Sequence, residues 1–396
     1  MRAIRLPLLS SVIVVLLAGR VEAAAQPDRL PLWWPDGLRQ VEPITPDAFP
    51  AATTPDKPPR VTNPRLLRHV TVPAATGIAG ASGSRALDSE SGSLHSHNRA
   101  LGDSDRRHTV LSAVAIVSPA TEQRSRLIAV AGDDHCIRLY DAEQLRLLRT
   151  LEGHTDWVRA IAARPDGKLL ATAGHDRKVC FWDLADGTLI DTLEGLPQAV
   201  AALAYSPDGR TLAIAGMEDK VRLLIDDGGG RLTRQLDAPG GDIRAVCFSP
   251  DGRHVAAAGR NEAIRIWETA TGRQTMQIAL PRGTVHALAY WPDGSLIAAA
   301  GSRGQVQLWN AADGQPAGTL GKDLGTVMSL TLVGKQYIAA GTSSNVIHLW
   351  NLDQPSEHHR LVGHTGSVAA LKYDPAANVL ISAGYDCTLR VWELSP

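Results

Sequence analysis

Cysteine is scarce in this chain, and Cys136, Cys180, Cys247 and Cys387 form no Cys-x-x-Cys pair. Their spacing offers neither a zinc ribbon nor a covalent haem attachment. Charge of one sign is missing too. The 40 Lys and Arg balance 41 Asp and Glu, which argues against a nucleic-acid surface and against a solvating acidic tail. No Gly-x-Ser-x-Gly elbow occurs, since GASGS at Gly80 fails at its last position. The apolar run from Leu6 to Ala18 falls short of the roughly 20 residues that a bilayer span needs. The histidine pairs His95 with His97 and His358 with His359 read as solvated loop side chains. No cofactor, no metal, no nucleic acid and no stable membrane span are therefore expected.

What the chain has is one turn at a fixed stride. RPDG from Arg164, SPDG from Ser206, SPDG from Ser249 and WPDG from Trp291 place Pro165, Pro207, Pro250 and Pro292 at intervals of 42, 43 and 42 residues. In each word proline presets φ, aspartate bonds nearby backbone, and glycine takes the positive φ that ends the turn. Short apolar runs flank each copy, so each reads as a β-hairpin. Seventeen residues after each proline stands Trp182, Leu224, Trp267 or Trp309, where a third strand ends.

Aligning those strand ends gives Tyr140, Trp182, Leu224, Trp267, Trp309, Trp350 and Trp392 at strides of 41 to 43 residues. No helical period fits between the turns, so seven units of short strands predict propeller blades rather than a helical solenoid. The organisation expected is a signal peptide over residues 1–25, an extended arm over 26–107, and a seven-bladed propeller over 108–396. Arg2 and Arg5 before the apolar run, with Ala23, Ala24 and Ala25 as a cleavage site, carry the export expectation. Prolines crowd residues 26–64, and Gly, Ser and charge dominate residues 74–107. Within PRLLRHVTVP the segment Arg65–Val72 is strand-like and is a candidate to close the ring, with a segment near Asn98 as the alternative.

Unit two reads LEGHTDWVRAIAARPDGKLLATAGHDRKVCFWDL, with Gly153-His154 opening, Thr172 in the second strand, Asp176 in the turn and Trp182-Asp183 closing. Unit seven repeats this with Gly363-His364, Ser382, Asp386 and Trp392-Glu393. The sequence resembles the WD-repeat (Trp-Asp repeat) β-propeller family over about 290 residues, as an exported member of bacterial type. The resemblance implies an all-β fold, in which His154, Thr172, Asp176 and Trp182, and likewise His364, Ser382, Asp386 and Trp392, form hydrogen-bonded networks inside their blades. Such a set recurs by architecture, so it is read as structural and not as a catalytic triad. The other units depart from the pattern. Unit one has Asp134 but Tyr140, unit four Asn261, unit five Arg303 and unit six Ser344, and these blades are expected to rely on apolar packing.

The resemblance also implies a top face around the channel, at the end of the blades away from the repeated hairpins. Its candidate residues are Asp156, Trp157, Arg159, His175, Asp242, Arg244, Arg260, His286 and Tyr385. Aromatic side chains beside arginines suit an interaction surface. The expected function is a non-catalytic, monomeric scaffold that binds a protein or peptide there, exported to the periplasm or secreted. An exported enzyme with a channel site, or a detached module of a larger secreted complex, stands as the alternative. Cys136 and Cys387 occupy nearly matching positions of the first and last units, and whether they pair is left open.

Overall fold

The computed structural model describes Val61 and residues 64–74, 108–117, 126–226, 228, 231–260, 263–354 and 356–394. The signal-peptide expectation, most of the arm, the segment near Asn98, His95, His97 and Asn261 lie outside those residues. Among the described residues there is no helix. Twenty-eight strands form seven four-stranded sheets. Blade two runs Val158–Ala163, Leu169–Gly174, Val179–Asp183 and Leu189–Leu193 from the centre outwards, each strand antiparallel to its neighbour.

Burial explains why the strands do not alternate simply between apolar and polar. A second strand such as Leu169–Gly174 lies between two neighbouring blades and is buried at every residue, so both of its faces are apolar and small. Outer strands are wet, as in Leu147–Leu151, where only Leu151 is buried. Cores accordingly sit between blades. Ile137, Leu139 and Leu151 of blade one pack with Val158, Leu170 and Trp182 of blade two. Val72, Leu111 and Tyr140 pack with Ile381, Leu389 and Val391 across the first and last blades.

The repeated words fold as their chemistry dictates. Ser206 O accepts the Gly209 amide at 2.8 Å, Ser206 Oγ accepts the Thr211 amide at 2.9 Å, and Gly209 has φ +71°. Ser249 O and the Gly252 amide repeat this at 2.9 Å, with φ +70° at Gly252. In blade five Trp291 replaces the small first residue. Its indole N–H reaches across to Lys335 O of the next blade at 3.1 Å, which turns a local turn word into an inter-blade tie.

Blade seven takes its outermost strand from the segment that precedes blade one. Arg65–Thr71 pairs antiparallel with Thr388–Glu393, giving the order outer strand, third, second, inner. The Val72 amide then donates to Cys387 O at 2.8 Å, and Val72 is fully buried. Further back, Val61 is 4% exposed and its amide donates to Tyr337 Oη at 3.0 Å, so the arm is pinned beside blade six before it enters blade seven.

Two blades contain the four-residue network. His154 Nδ1 lies 2.6 Å from Asp176 Oδ2 and its Nε2 lies 2.7 Å from Thr172 Oγ1, while the Trp182 indole N–H donates to that same hydroxyl oxygen at 2.8 Å. In blade seven the matching distances are 2.9 Å for His364 to Asp386, 2.7 Å for His364 to Ser382 and 2.8 Å for Trp392 to Ser382. Burial opposes a charge on His154, yet the Asp176 carboxylate outweighs it and pushes the imidazole up to about 9. Asp386 is likewise opposed by burial but held down to about 2 by His364. The side chains of His154 and Asp176 are 0% and 1% exposed, so no substrate in solution can reach them.

The expectation that blades one, four, five and six rely on apolar packing fails for blades one and six, and blade three, which it did not cover, also has a polar tie. In blade one the buried Arg138 bonds Asp134 through both terminal nitrogens, and Thr109 Oγ1 donates to Asp134 Oδ2 at 2.7 Å. Blade three joins Arg222 to Glu218 through two bonds, at 3.1 and 2.6 Å. Blade six pairs Thr342 and Ser344 hydroxyls at 2.8 Å, with Ser344 donating to Leu324 O at 3.0 Å. An arginine four residues after the turn acid replaces the histidine by ion pairing, a substitution that single-position matching to His, Ser or Thr overlooks. His358 is exposed, as expected of a solvated side chain, but it stands in a strand and not in a loop. It lies in the strand His358–Val362, stacked on Trp350 with ring centroids 5.0 Å apart, and its Nε2 lies 2.9 Å from His348 Nδ1. All four cysteines are free thiols.

Candidate interaction face

The two ends of a blade differ in kind. In blade two the RPDG hairpin joins the inner and second strands at one end, and Val158 pairs with Gly174 at the other. Trp157, Arg159 and His175 therefore share the end opposite the hairpin. Gly174 makes that end compact, because a Cβ there would lie 2.0 Å from Trp157 O. Without one, the carbonyl comes close and accepts the His175 amide at 2.9 Å.

A second local device aims the side chains. The inner-strand ladder shifts register between Val158 and Ala160, which leaves Arg159 out of the pairing. Such a bulge re-aims the residue it expels. The same shift recurs in all seven inner strands.

On blade two these devices build a small aromatic and cationic cluster. Arg159 Cζ stands 4.6 Å from the Trp157 ring centroid, within cation–π range, and His175 lies 5.6 Å from it at a tilt of 60°. The indole N–H donates to Ser112 Oγ of blade one at 3.1 Å, so the half-buried ring is held in one orientation. Asp156 is exposed and accepts the Trp157 amide at 2.7 Å.

Blade four carries an ionic counterpart. Arg244 donates to both carboxylate oxygens of Asp242 at 2.9 and 3.0 Å, and Arg260 stands 3.9 Å from the same carboxylate. His286 of blade five joins the group electrostatically. Burial first, then the charges of Arg244 and Arg159, push its imidazole down to about 4, with Asp242 pulling the other way. Tyr385 stands at the equivalent turn of blade seven, half-buried, its amide bonded to Ser367 O at 2.9 Å. It shares none of the hydrogen bonds or ring contacts that join the others.

Two residues of this face escaped the sequence reading. Met217 follows Gly216 as His175 follows Gly174, and it is 51% exposed beside the Gly241 turn. Aligning AIAGM with ATAGH would have found it. Ser112 seats the Trp157 indole from 45 positions away, and no local signal marks it. Among the described residues no group of three or more His, Cys, Asp or Glu side chains is arranged to hold a metal ion. Among them, too, no helix is long and apolar enough to cross a membrane.

Comparison with known proteins agrees with this architecture. The family described as WD domain, G-beta repeat matches residues 145–183, 187–223, 230–268, 275–310 and 356–393. The two unmatched units are one and six, where Tyr140 and Ser344 depart from the pattern. Among curated relatives, the WD repeat-containing protein 26 homolog of Drosophila melanogaster is 29% identical over 65 residues, 16% of this chain and 10% of its own length. The DDB1- and CUL4-associated factor 13 of Dictyostelium discoideum is 35% identical over 57 residues, 14% of this chain and 13% of its own. Autophagy-related protein 16 of Arabidopsis thaliana is 37% identical over 68 residues, 17% and 13% of the two chains. The chain thus spans a small fraction of the relatives it matches, one or two repeats in each. Five repeats of this chain match the WD domain, G-beta repeat model, and its described residues fold as a seven-bladed β-propeller.

Proposed function

We propose that this chain is a non-catalytic scaffold that captures a protein or peptide through the face bearing Trp157, Arg159, His175, Arg244 and Met217. The observation that carries this reading is the contrast between the two ends of the blades. At the hairpin end the same polar word repeats, with the same serine-to-glycine backbone bond in blades three and four. At the other end an oriented indole, a paired arginine, an exposed methionine and a histidine follow one another. A repeated polar surface selects no single partner, whereas a varied one holding a fixed aromatic beside arginine has the make-up of a binding hot spot. The closed, buried state of the His154 and His364 networks weighs against the enzyme alternative.

Trp157→Ala is expected to weaken partner capture at least about tenfold, because truncating a hot-spot aromatic typically costs about 2 kcal/mol. Asp208→Ala, in a hairpin on the opposite end, is expected to leave capture unchanged. Pull-down with both folded variants decides it, and loss of capture by Asp208→Ala alone would place the interaction on the other end.

The reading includes export. The leader over residues 1–25 supports it, through its basic start, apolar run and small-residue site. The mature chain is expected to begin between Ala24 and Gln26 and to be found outside the cytoplasm. N-terminal sequencing of the protein made in its own host tests this, and a retained Met1 on cytoplasmic protein would remove export from the reading.

A further inference from the structure

The bulge in each inner strand sets one residue per blade at the channel mouth. Blades one, three, six and seven place Ser112, Ala201, Met328 and Ala369 there. Blades two, four and five place Arg159, Arg244 and His286. The ring therefore contains two guanidinium groups and an imidazole, and no acid.

Among the charged candidates of this face the three arginines Arg159, Arg244 and Arg260 stand against two carboxylates, Asp242 and the exposed Asp156. Asp242 is a single carboxylate between two cations, bonded to Arg244 and 3.9 Å from Arg260. Arg159 lies over the face of an indole, a contact that leaves its N–H fork open to an oxygen acceptor. The charges of Arg159 and Arg244 both act on His286, so side chains from blades two and four converge towards blade five. Blade three, between them, contributes only the methyl of Ala201 to the ring, with Met217 exposed in its outer turn. The result is an opening with cations on either side and small or apolar side chains between.

We propose that this mouth receives the carboxylates of an acidic peptide segment, anchored by Arg159 and Arg244, with Trp157 and Met217 packing against the segment's apolar parts. A guanidinium fork takes a carboxylate through two parallel bonds, which gives orientation as well as attraction. An incoming carboxylate on Arg244 replaces or shares the bonds that Asp242 accepts from it. The inference rests on the assignment of this face as the interaction face and adds the chemistry of what it binds.

Fluorescence anisotropy of a fluorescein-labelled hexaglutamate peptide, titrated with the full chain, tests the proposal beside a hexaserine control. Hexaglutamate is expected to bind with Kd below about 1 mM at low salt. Binding should weaken as salt rises from about 0.05 to about 0.5 M. The double variant Arg159→Glu, Arg244→Glu is expected to lose about tenfold or more. Arg159→Lys should retain more binding than Arg159→Glu, and urea midpoints should confirm that each variant folds. Equal binding of hexaserine and hexaglutamate, or an unaffected charge-reversal variant, overturns the proposal. If Trp157→Ala abolishes capture of the natural partner while the charge reversals do not, the face stands and the acidic chemistry falls. If none of these changes matters, the face itself is misassigned.

Discussion

Deleting residues 64–73 is expected to destabilise the propeller by more than about 4 kcal/mol, enough to leave much of the chain unfolded at moderate temperature. The segment contributes the whole outer strand of blade seven, in register from Arg65 opposite Glu393 to Thr71 opposite Thr388. It also contributes Val72, fully buried between the first and last blades, and that side chain alone accounts for about 2 kcal/mol of apolar burial. Removing the strand opens the Thr388–Glu393 edge and breaks the bond between the Thr109 amide and Val72 O, at 3.1 Å, that leads into blade one. The comparison is a urea melt of the deletion against the full chain. Coincident melts would mean that the ring is held without this strand.

His364→Ala is the point change with the largest expected cost, about 3 kcal/mol, against less than about 0.5 for the exposed His69. The imidazole satisfies Ser382 and both oxygens of Asp386, and the Asp386 side chain is only 3% exposed. Losing it strands a buried carboxylate with the Thr365 amide, Thr388 and a distant Arg390 as its remaining partners. Equal urea midpoints for the two alanine variants would contradict the structural role given to His364. His358→Ala, by contrast with its sequence-based reading, should cost about 1 kcal/mol through lost stacking on Trp350.

The same network sets an acid limb of stability. The folded-state pKa of Asp386 lies below its ordinary value, so the stabilisation is fully present above pH 3.8 and disappears as pH falls towards about 2. This is worth about 2 kcal/mol. In His364→Ala the limb should be shallower, since the partner that depresses the pKa is gone. His154 works in the opposite direction. Its folded pKa is raised to about 9, so its contribution is complete below pH 6.5 and is lost as pH rises through 9. Stability between these limits should be nearly flat with respect to both groups.

Residue spacing alone carried the architecture of this protein. A hairpin word every 42 or so residues, an aromatic strand end 17 residues later and a Gly-His opening in two units are local signals, each read within one hairpin. Blades are nearly self-contained in sequence, and local hydrogen bonding decides their turns, which is why seven units could be counted. The networks of blades two and seven were legible for the same reason, since all four members fall within 30 residues. The ion pairs that replace them in blades one and three were hidden because a different residue pair solves the same burial problem.

Tertiary structure decided everything that depends on which blades meet. The sequence offers RLLRHVT as a strand-like candidate to close the ring, but nothing local in it fixes its register against a strand some 320 residues away. That choice follows from the unpaired edge of blade seven and from the pocket that Val72 fills between two cores. Trp157 is legible in sequence as a candidate of the interaction face, but it becomes an oriented ring only because Ser112 of the neighbouring blade takes its N–H. Arg159, Arg244 and His286 are likewise scattered over 128 positions, and only the ring closure and the shared bulge bring their charges to one mouth. Hydrogen bonds within a hairpin follow from neighbouring residues, but the convergence of cations across a channel requires the whole circle to close.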